Sequence, residues 1–197
     1  MHQNITRWEK RDGPIFLRKI GLKPGQKILD FGCRVGHYTI PAATVARKQG
    51  LVYAVDKEQY ALSELKRKAA AYNLTNIRIM KTSGQMQLAL KDECIDVVLL
   101  YDVLHYSRKN ERTELYKEIF RVLEQGGLLS VYPKHTAQDD PLMELQHLNV
   151  SDIRQEIQDS GFAFNRKYFA TISHDNGLNK GCILNFRKAK NENNNSL

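Results

Sequence analysis

No apolar run in this 197-residue sequence comes near the ~20 residues that cross a bilayer. The opening stretch MHQNITRWEKRDG has no apolar segment of the kind a secretory leader carries, so a cytoplasmic protein is expected. Cysteine is scarce and odd in number: Cys33, Cys94 and Cys182 stand far apart. They form no CxxC pair and no Cys/His grouping at metal spacing, so neither a disulfide framework nor a metal site is expected. Acidic residues are outnumbered, 22 against 30 Lys plus Arg, giving a formal net charge of +8. That field suits an acidic metabolite or nucleic acid. No arginine-rich tract with interleaved aromatics accompanies it, so nucleic acid is an option that the pattern does not favour.

What remains is ordinary for one globular domain, with 42% hydrophobic and 26% charged residues. Apolar runs and helical periods alternate. KILDFG (27–32) predicts a buried strand, 37–48 a helix beginning after Gly36, and LVYAVD (51–56) a second strand. A helix follows with Leu62, Leu65, Ala69 and Tyr72 on one side, then strands over 76–80 and 95–102. Asn110 is placed to cap a helix whose inner face is Leu115, Ile119, Val122 and Leu123, and 124–133 predicts a fifth strand. Strands of nearly continuous apolar character belong in a parallel sheet covered on both faces, the doubly wound α/β class.

The last third changes character. Ser151 is read as the cap of a helix ending at Gly161, followed by strands FAFNRKYFATI and GCILNFRK around a polar loop, SHDNGLNK. That connection is too short for a crossover helix, so the two strands are expected to be antiparallel neighbours. A single domain over 1–190 is expected, with residues 1–20 as a helical lid and 191–197 as a polar, disordered tail.

The turn after the first strand carries the functional signal. It runs Gly32-Cys33-Arg34-Val35-Gly36, and a strand feeding a helix through such a turn offers backbone N–H groups to a polar ligand. Asp56 ends the second strand, where a carboxylate accepts hydrogen bonds from ribose hydroxyls. Asp30, two residues before Gly32, repels a pyrophosphate and suits a ligand with an ammonium group; its alternative role is to shape the turn through backbone N–H groups. A nicotinamide-dependent dehydrogenase is the weakest reading on these grounds.

The stretches KPGQKILDFGCRVGHYTIPAA, VYAVD, ECIDVVLLYDVLHY and VLEQGGLLSVY resemble successive motifs of class I S-adenosylmethionine-dependent methyltransferases, in the branch of ubiquinone- and menaquinone-biosynthesis and related type 11 enzymes. The resemblance covers about residues 15–135. It implies a Rossmann-like sheet of seven strands in the order 3-2-1-4-5-7-6, the last antiparallel, and S-adenosyl-L-methionine as cofactor. By position, Asp30, Gly32, Cys33, Arg34 and Gly36 are implied at the methionyl pocket and Asp56 with Lys57 at the ribose. Ser83 and Gly84 are implied near the adenine, and Tyr101 and Asp102 at the methionine end and the acceptor. Arg34 stands where the family usually has glycine, so it either strains a positive φ, clamps the methionyl carboxylate, or points into water. After the third strand, KTSGQ offers Ser83 and Gln85 in place of the family's usual acid.

Methyl transfer needs alignment more than a triad. His105 in YDVLHY is the candidate base and Asp102 its neighbour; the alternative is that His105 only orders the loop. Tyr106, His135 and His147 are expected in loops at the same end, and Trp8 and Phe16 in the N-terminal helix. The leading expectation is transfer of a methyl group to a small molecule. The rivals are an RNA methyltransferase and a non-catalytic S-adenosylmethionine-binding protein.

Overall fold

The computed structural model describes residues 2–137, 139 and 143–189, so the expected tail at 191–197 lies outside the described residues. The chain runs α1 (His2–Arg7), a π-helical turn Trp8–Asp12, α2 (Gly13–Ile20), β1 (Lys27–Phe31), α3 (Thr39–Ala46), β2 (Leu51–Asp56) and α4 (Gln59–Ala71). It continues through β3 (Ile77–Lys81), β4 (Ile95–Tyr101), a 3-10 turn Leu104–Tyr106, α5 (Lys109–Val122), β5 (Leu123–Tyr132), α6 (Val150–Asp159), β6 (Phe162–His174) and β7 (Gly177–Lys188). The strands form one sheet in the order β3-β2-β1-β4-β5-β7-β6. The first five are parallel, and β7 is antiparallel to both β5 and β6.

Alternation along each strand divides the core. Ile28, Val52, Val97 and Leu99 pack with Phe16 and Leu17 of α2 and Ala42, Ala43 and Val45 of α3. Leu29, Val98 and Leu100 face the other way, onto Leu115 and Ile119 of α5 and Ile153 and Ile157 of α6. Inner strands β1 and β4 are therefore buried along nearly their whole length, which is why they read as unbroken apolar runs. Edge strands β3 and β6 are half exposed.

Several boundaries differ from the sequence reading. The helix expected over 37–48 is Thr39–Ala46, because Arg47 turns to φ +59°. Asn110 is not the cap of α5: the helix starts at Lys109, and the Glu111 carboxylate accepts the Arg108 N–H at 2.6 Å. Leu123 is not on the face of that helix but is the first residue of β5, with no loop between them. Asn149, not Ser151, precedes α6, its N–H donating to Asp152 at 2.7 Å. Gly161 does end that helix, at φ +95°. The polar loop expected at 173–180 is mostly strand: β6 and β7 continue until only Asp175 and Asn176 lie between them. Their mutual ladder reaches His174↔Gly177, whereas the ladder of β7 with β5 stops at Leu184. The hairpin tip therefore projects past the sheet toward the turn that follows β1.

Candidate functional site

The turn after β1 is held by the chain itself. Gly32 and Cys33 donate their N–H groups to Val55 O at 2.8 and 3.0 Å, and Gly36 donates to Cys33 O at 2.9 Å. Both glycines have positive φ, +76° and +87°. A Cβ on Gly32 would lie 2.8 Å from Val103 Cγ2, and one on Gly36 would collide with Leu65 Cδ1. Glycine is required here by backbone conformation and by packing against the segment after β4 and against α4.

Arg34 adopts φ +44°, so the strained alternative is the one realised. Its N–H donates to Asp56 Oδ2 at 2.7 Å, while its guanidinium reaches Asp175 Oδ1 at 3.0 Å on the hairpin tip. Asp56 also accepts the Glu58 N–H through Oδ1 at 2.9 Å. Each of its oxygens thus carries one of these backbone bonds and retains a second lone pair. Lys57 is exposed beside it.

Asp30 is buried on the α3 side of β1 and accepts the Thr39 hydroxyl at 2.5 Å. Burial, opposed by that bond and reinforced by the nearby Asp56 charge, pushes its carboxyl up to about 7. Cys33 is buried as well, and burial next to Asp30 and Asp56 pushes its thiol far up, so it is inert as a nucleophile. Ser83 and Gly84 lie exposed after β3, where Gly84 N–H bonds Thr82 Oγ1 at 3.2 Å and Thr82 N–H returns to Asp56 O. Tyr101 is buried in an aromatic group with Phe16, Tyr38 and Tyr132, and its hydroxyl pairs with Ser130 Oγ at 2.7 Å.

Asp102, just past β4, stands at φ +56°. Its Oδ2 lies 2.6 Å from His174 Nδ1, and its Oδ1 lies 3.6 Å from His105 Nδ1. Those last two atoms are buried without a hydrogen-bond partner among the described residues. His105 also packs on the His135 ring, centroids 4.5 Å apart. Burial, then the neighbouring His135 and His174, push His105 down to about 3. It therefore stays neutral near neutral pH and takes up a proton poorly. Asp102, His135 and His174 present ligand atoms all within 4.8 Å of one another.

His174 and Asp175 are the site residues that the sequence did not flag, because SHDNGLNK reads as a polar loop. The Asp-Asn-Gly run inside it is a tight-hairpin signal that would have placed both at a strand tip. The N-terminal segment is helical and packs against the body of the fold. Trp8 is 1% exposed and donates Nε1–H to His37 O at 2.8 Å. The buried Glu9 carboxylate meets His37 Nδ1 at 3.0 Å, Lys68 Nζ at 2.6 Å and the Tyr72 hydroxyl at 2.9 Å. His147 is exposed. A groove of about 710 Å³ lies between α4 and the edge strand β3 and is lined by Leu62, Ile77 and Ile79, away from the turn.

Comparison with known proteins bears on the fold and the family. The chain is 33% identical over 116 residues to a probable cobalt-precorrin-6B C(15)-methyltransferase of Saccharolobus solfataricus, covering 58% of this chain and 56% of that protein. It is 30% identical over 115 residues to sterol 24-C-methyltransferase of Schizosaccharomyces pombe, covering 58% and 29%. The matched stretch is thus less than two thirds of either relative. A crystal structure of a SAM-dependent methyltransferase from Aquifex aeolicus superposes with a TM-score of 0.72 at 18% identity, covering 93% of both chains. Magnesium protoporphyrin IX methyltransferase from Synechocystis with bound SAH gives 0.70 at 20%, covering 95% and 86%. These two show the shared fold. Residues 28–127 match the family described as a methyltransferase domain, and the chain belongs to that family.

Proposed function

We propose that this protein transfers the methyl group of S-adenosyl-L-methionine to a small-molecule acceptor. The observation that carries the reading is the pair of carboxylates on either side of the Gly32–Gly36 turn, at the carboxyl edge of a 3-2-1-4-5-7-6 sheet. The residues fit an amino-acid nucleoside. The free lone pairs of Asp56 take the ribose hydroxyls, and Asp30 sits behind the turn where a cationic ammonium favours its ionised form. Ser83 and Gly84, reached from β3 through Thr82, flank the adenine end.

The donor supplies a sulfonium-activated methyl group, so the protein need not generate a strong electrophile. Its task is to align donor and acceptor at a reacting distance of roughly 3–3.5 Å. Asp102, His105 and Tyr106 shape the acceptor end: Asp102 is fixed by His174, and the neutral His105 orders that wall rather than acting as a strong base. Tyr106, 62% exposed, stacks on His105 at 4.0 Å between centroids and faces the surface. The names of the two relatives, which act on a precorrin and a sterol, support a small organic acceptor.

Calorimetric titration with S-adenosylhomocysteine tests the reading. One site per chain is expected, with affinity lowered at least about tenfold in Asp56→Ala by loss of charge-assisted bonds. No heat of binding at high micromolar ligand overturns it.

A further inference from the structure

Four ionisable side chains converge where β4, β5 and the β6–β7 hairpin end together. Asp102 leaves β4, His135 follows β5, His174 ends β6, and His105 stands in the turn after Asp102. Asp102, His135 and His174 are far apart in sequence, and the projecting hairpin closes the group. We propose that Asp102, His135 and His174 form a binding site for one divalent first-row transition metal ion, with an open coordination position for an oxygen or sulfur atom of the acceptor.

Donor chemistry and spacing support this. Two imidazoles and one carboxylate are the borderline set that suits Zn²⁺ and its first-row neighbours, and three protein ligands leave room for a substrate atom. Donor atoms around such an ion, each about 2.0–2.2 Å away, lie roughly 3–4 Å from one another. The three residues offer ligand atoms within 4.8 Å of one another, and His174 Nδ1 already meets Asp102 Oδ2 at 2.6 Å. An ion would replace the proton between that pair, spread the pair by roughly half an ångström or more, and draw any pair near the 4.8 Å limit in by about 1 Å.

Independent features point the same way. His105, 2% exposed, places its Nδ1 3.6 Å from Asp102 Oδ1, and neither atom has a hydrogen-bond partner among the described residues. Buried orphan atoms of this kind call for a missing water or ion. Asp102 and His135 are both held at positive φ, +56° and +61°, so backbone strain is concentrated on two of the three ligands. Beside His174, Asp175 Oδ2 lies 3.6 Å from Nε2, beyond hydrogen-bond distance, and adds negative charge next to the cluster. Asp175 in turn pairs with Arg34, and Val103 packs on Gly32, so the cluster adjoins the donor turn directly.

The acceptor role given to the ion rests on the methyl-transfer reading; the ion binding does not. The test uses the full chain, stripped with a chelator and dialysed, then titrated with Co²⁺ followed by visible absorption and with Zn²⁺ by competition against a chromophoric chelator. One ion per chain is expected, with the cobalt absorption bands of a low-symmetry site. His174→Gln and Asp102→Asn should each weaken binding at least about tenfold, while His147→Ala, an exposed histidine elsewhere, should not change it. Thermal melting checks that the variants fold. If they do not, the wild-type cobalt spectrum and a Zn²⁺-dependent rise in Tm decide. No cobalt bands at one equivalent, or binding that only His147→Ala abolishes, overturns the inference. Cobalt binding without S-adenosylhomocysteine binding would retain the metal site and reject the methyl-transfer reading; the reverse would reject the metal site alone.

Discussion

At the scale of single residues, Asp30 carries the sharpest consequence. Its carboxyl is pushed up to about 7 by burial, with Asp56 adding repulsion and Thr39 the opposing bond. In the free protein it is largely protonated below that value. A bound ammonium group favours the anion, so donor binding must expel a proton when the pH lies below about 7 and none well above it. Affinity for S-adenosylhomocysteine is therefore expected to rise as pH increases toward 7 and then level off. Calorimetry in two buffers of different ionisation enthalpy should show release of up to one proton on the acid side. Asp30→Asn should flatten the profile; an unchanged profile in that variant would remove Asp30 from the donor site. The stability sign is opposite: a folded carboxyl raised from 3.8 favours the native state at low pH, and that contribution is lost between 3.8 and about 7.

At the scale of elements, α5 and α6 are joined by one buried ion pair. Arg112 Nε and Nη2 reach Glu156 at 2.9 and 2.7 Å, and Arg112 Nη1 bonds Ser107 O at 2.8 Å, fixing the turn that carries His105. The arginine side chain is 3% exposed and the glutamate 15%. Arg112→Ala leaves a mostly buried carboxylate without its partner and is expected to cost about 3 kcal/mol in urea unfolding. Replacing both partners by Met should recover most of that loss, because neither charge is then desolvated. A double variant as unstable as the single one would show that packing, not charge, is what the pair supplies. Arg112 reads in the sequence as one more polar residue of an amphipathic helix; its partner is on another helix, so no local pattern announces it.

At the scale of the whole molecule, the N-terminal segment is locked to α4 and to the turn before α3 by Glu9. Burial works against its ionised form, but bonds from His37, Lys68 and Tyr72 outweigh it and hold the carboxyl below its usual 4.5. A depressed folded value contributes stability above about 4.5, and this is lost as pH falls through the folded value. Glu9→Gln is expected to lower stability at neutral pH by about 2 kcal/mol, the scale of charged hydrogen bonds, and to make Tm fall less steeply on acidification. An equal acid slope in wild type and variant would show that other carboxylates govern acid unfolding. The same network means that residues 2–20 form a fixed wall over α3 and α4. Among the described residues no helix is long and apolar enough to cross a membrane.

Local chemistry made the first half of this protein legible. Unbroken apolar runs announced β1, β2 and β4, two glycines fixed the turn, and Asp30 and Asp56 stood near strand ends at positions that period-two geometry sends to one face. These signals are local, since each depends on residues a few places apart. The helix starts were misread because Asn and Ser are good caps wherever they fall, and only the ladder register decides which turn is the first. The histidine–aspartate cluster was illegible for a deeper reason. Asp102, His135 and His174 meet because β7 runs antiparallel beside β5 and carries its hairpin tip past the sheet edge, a fact of strand register that no short window contains. The chain's own order of residues set the donor turn and its two acids; tertiary folding alone decided what stands opposite them.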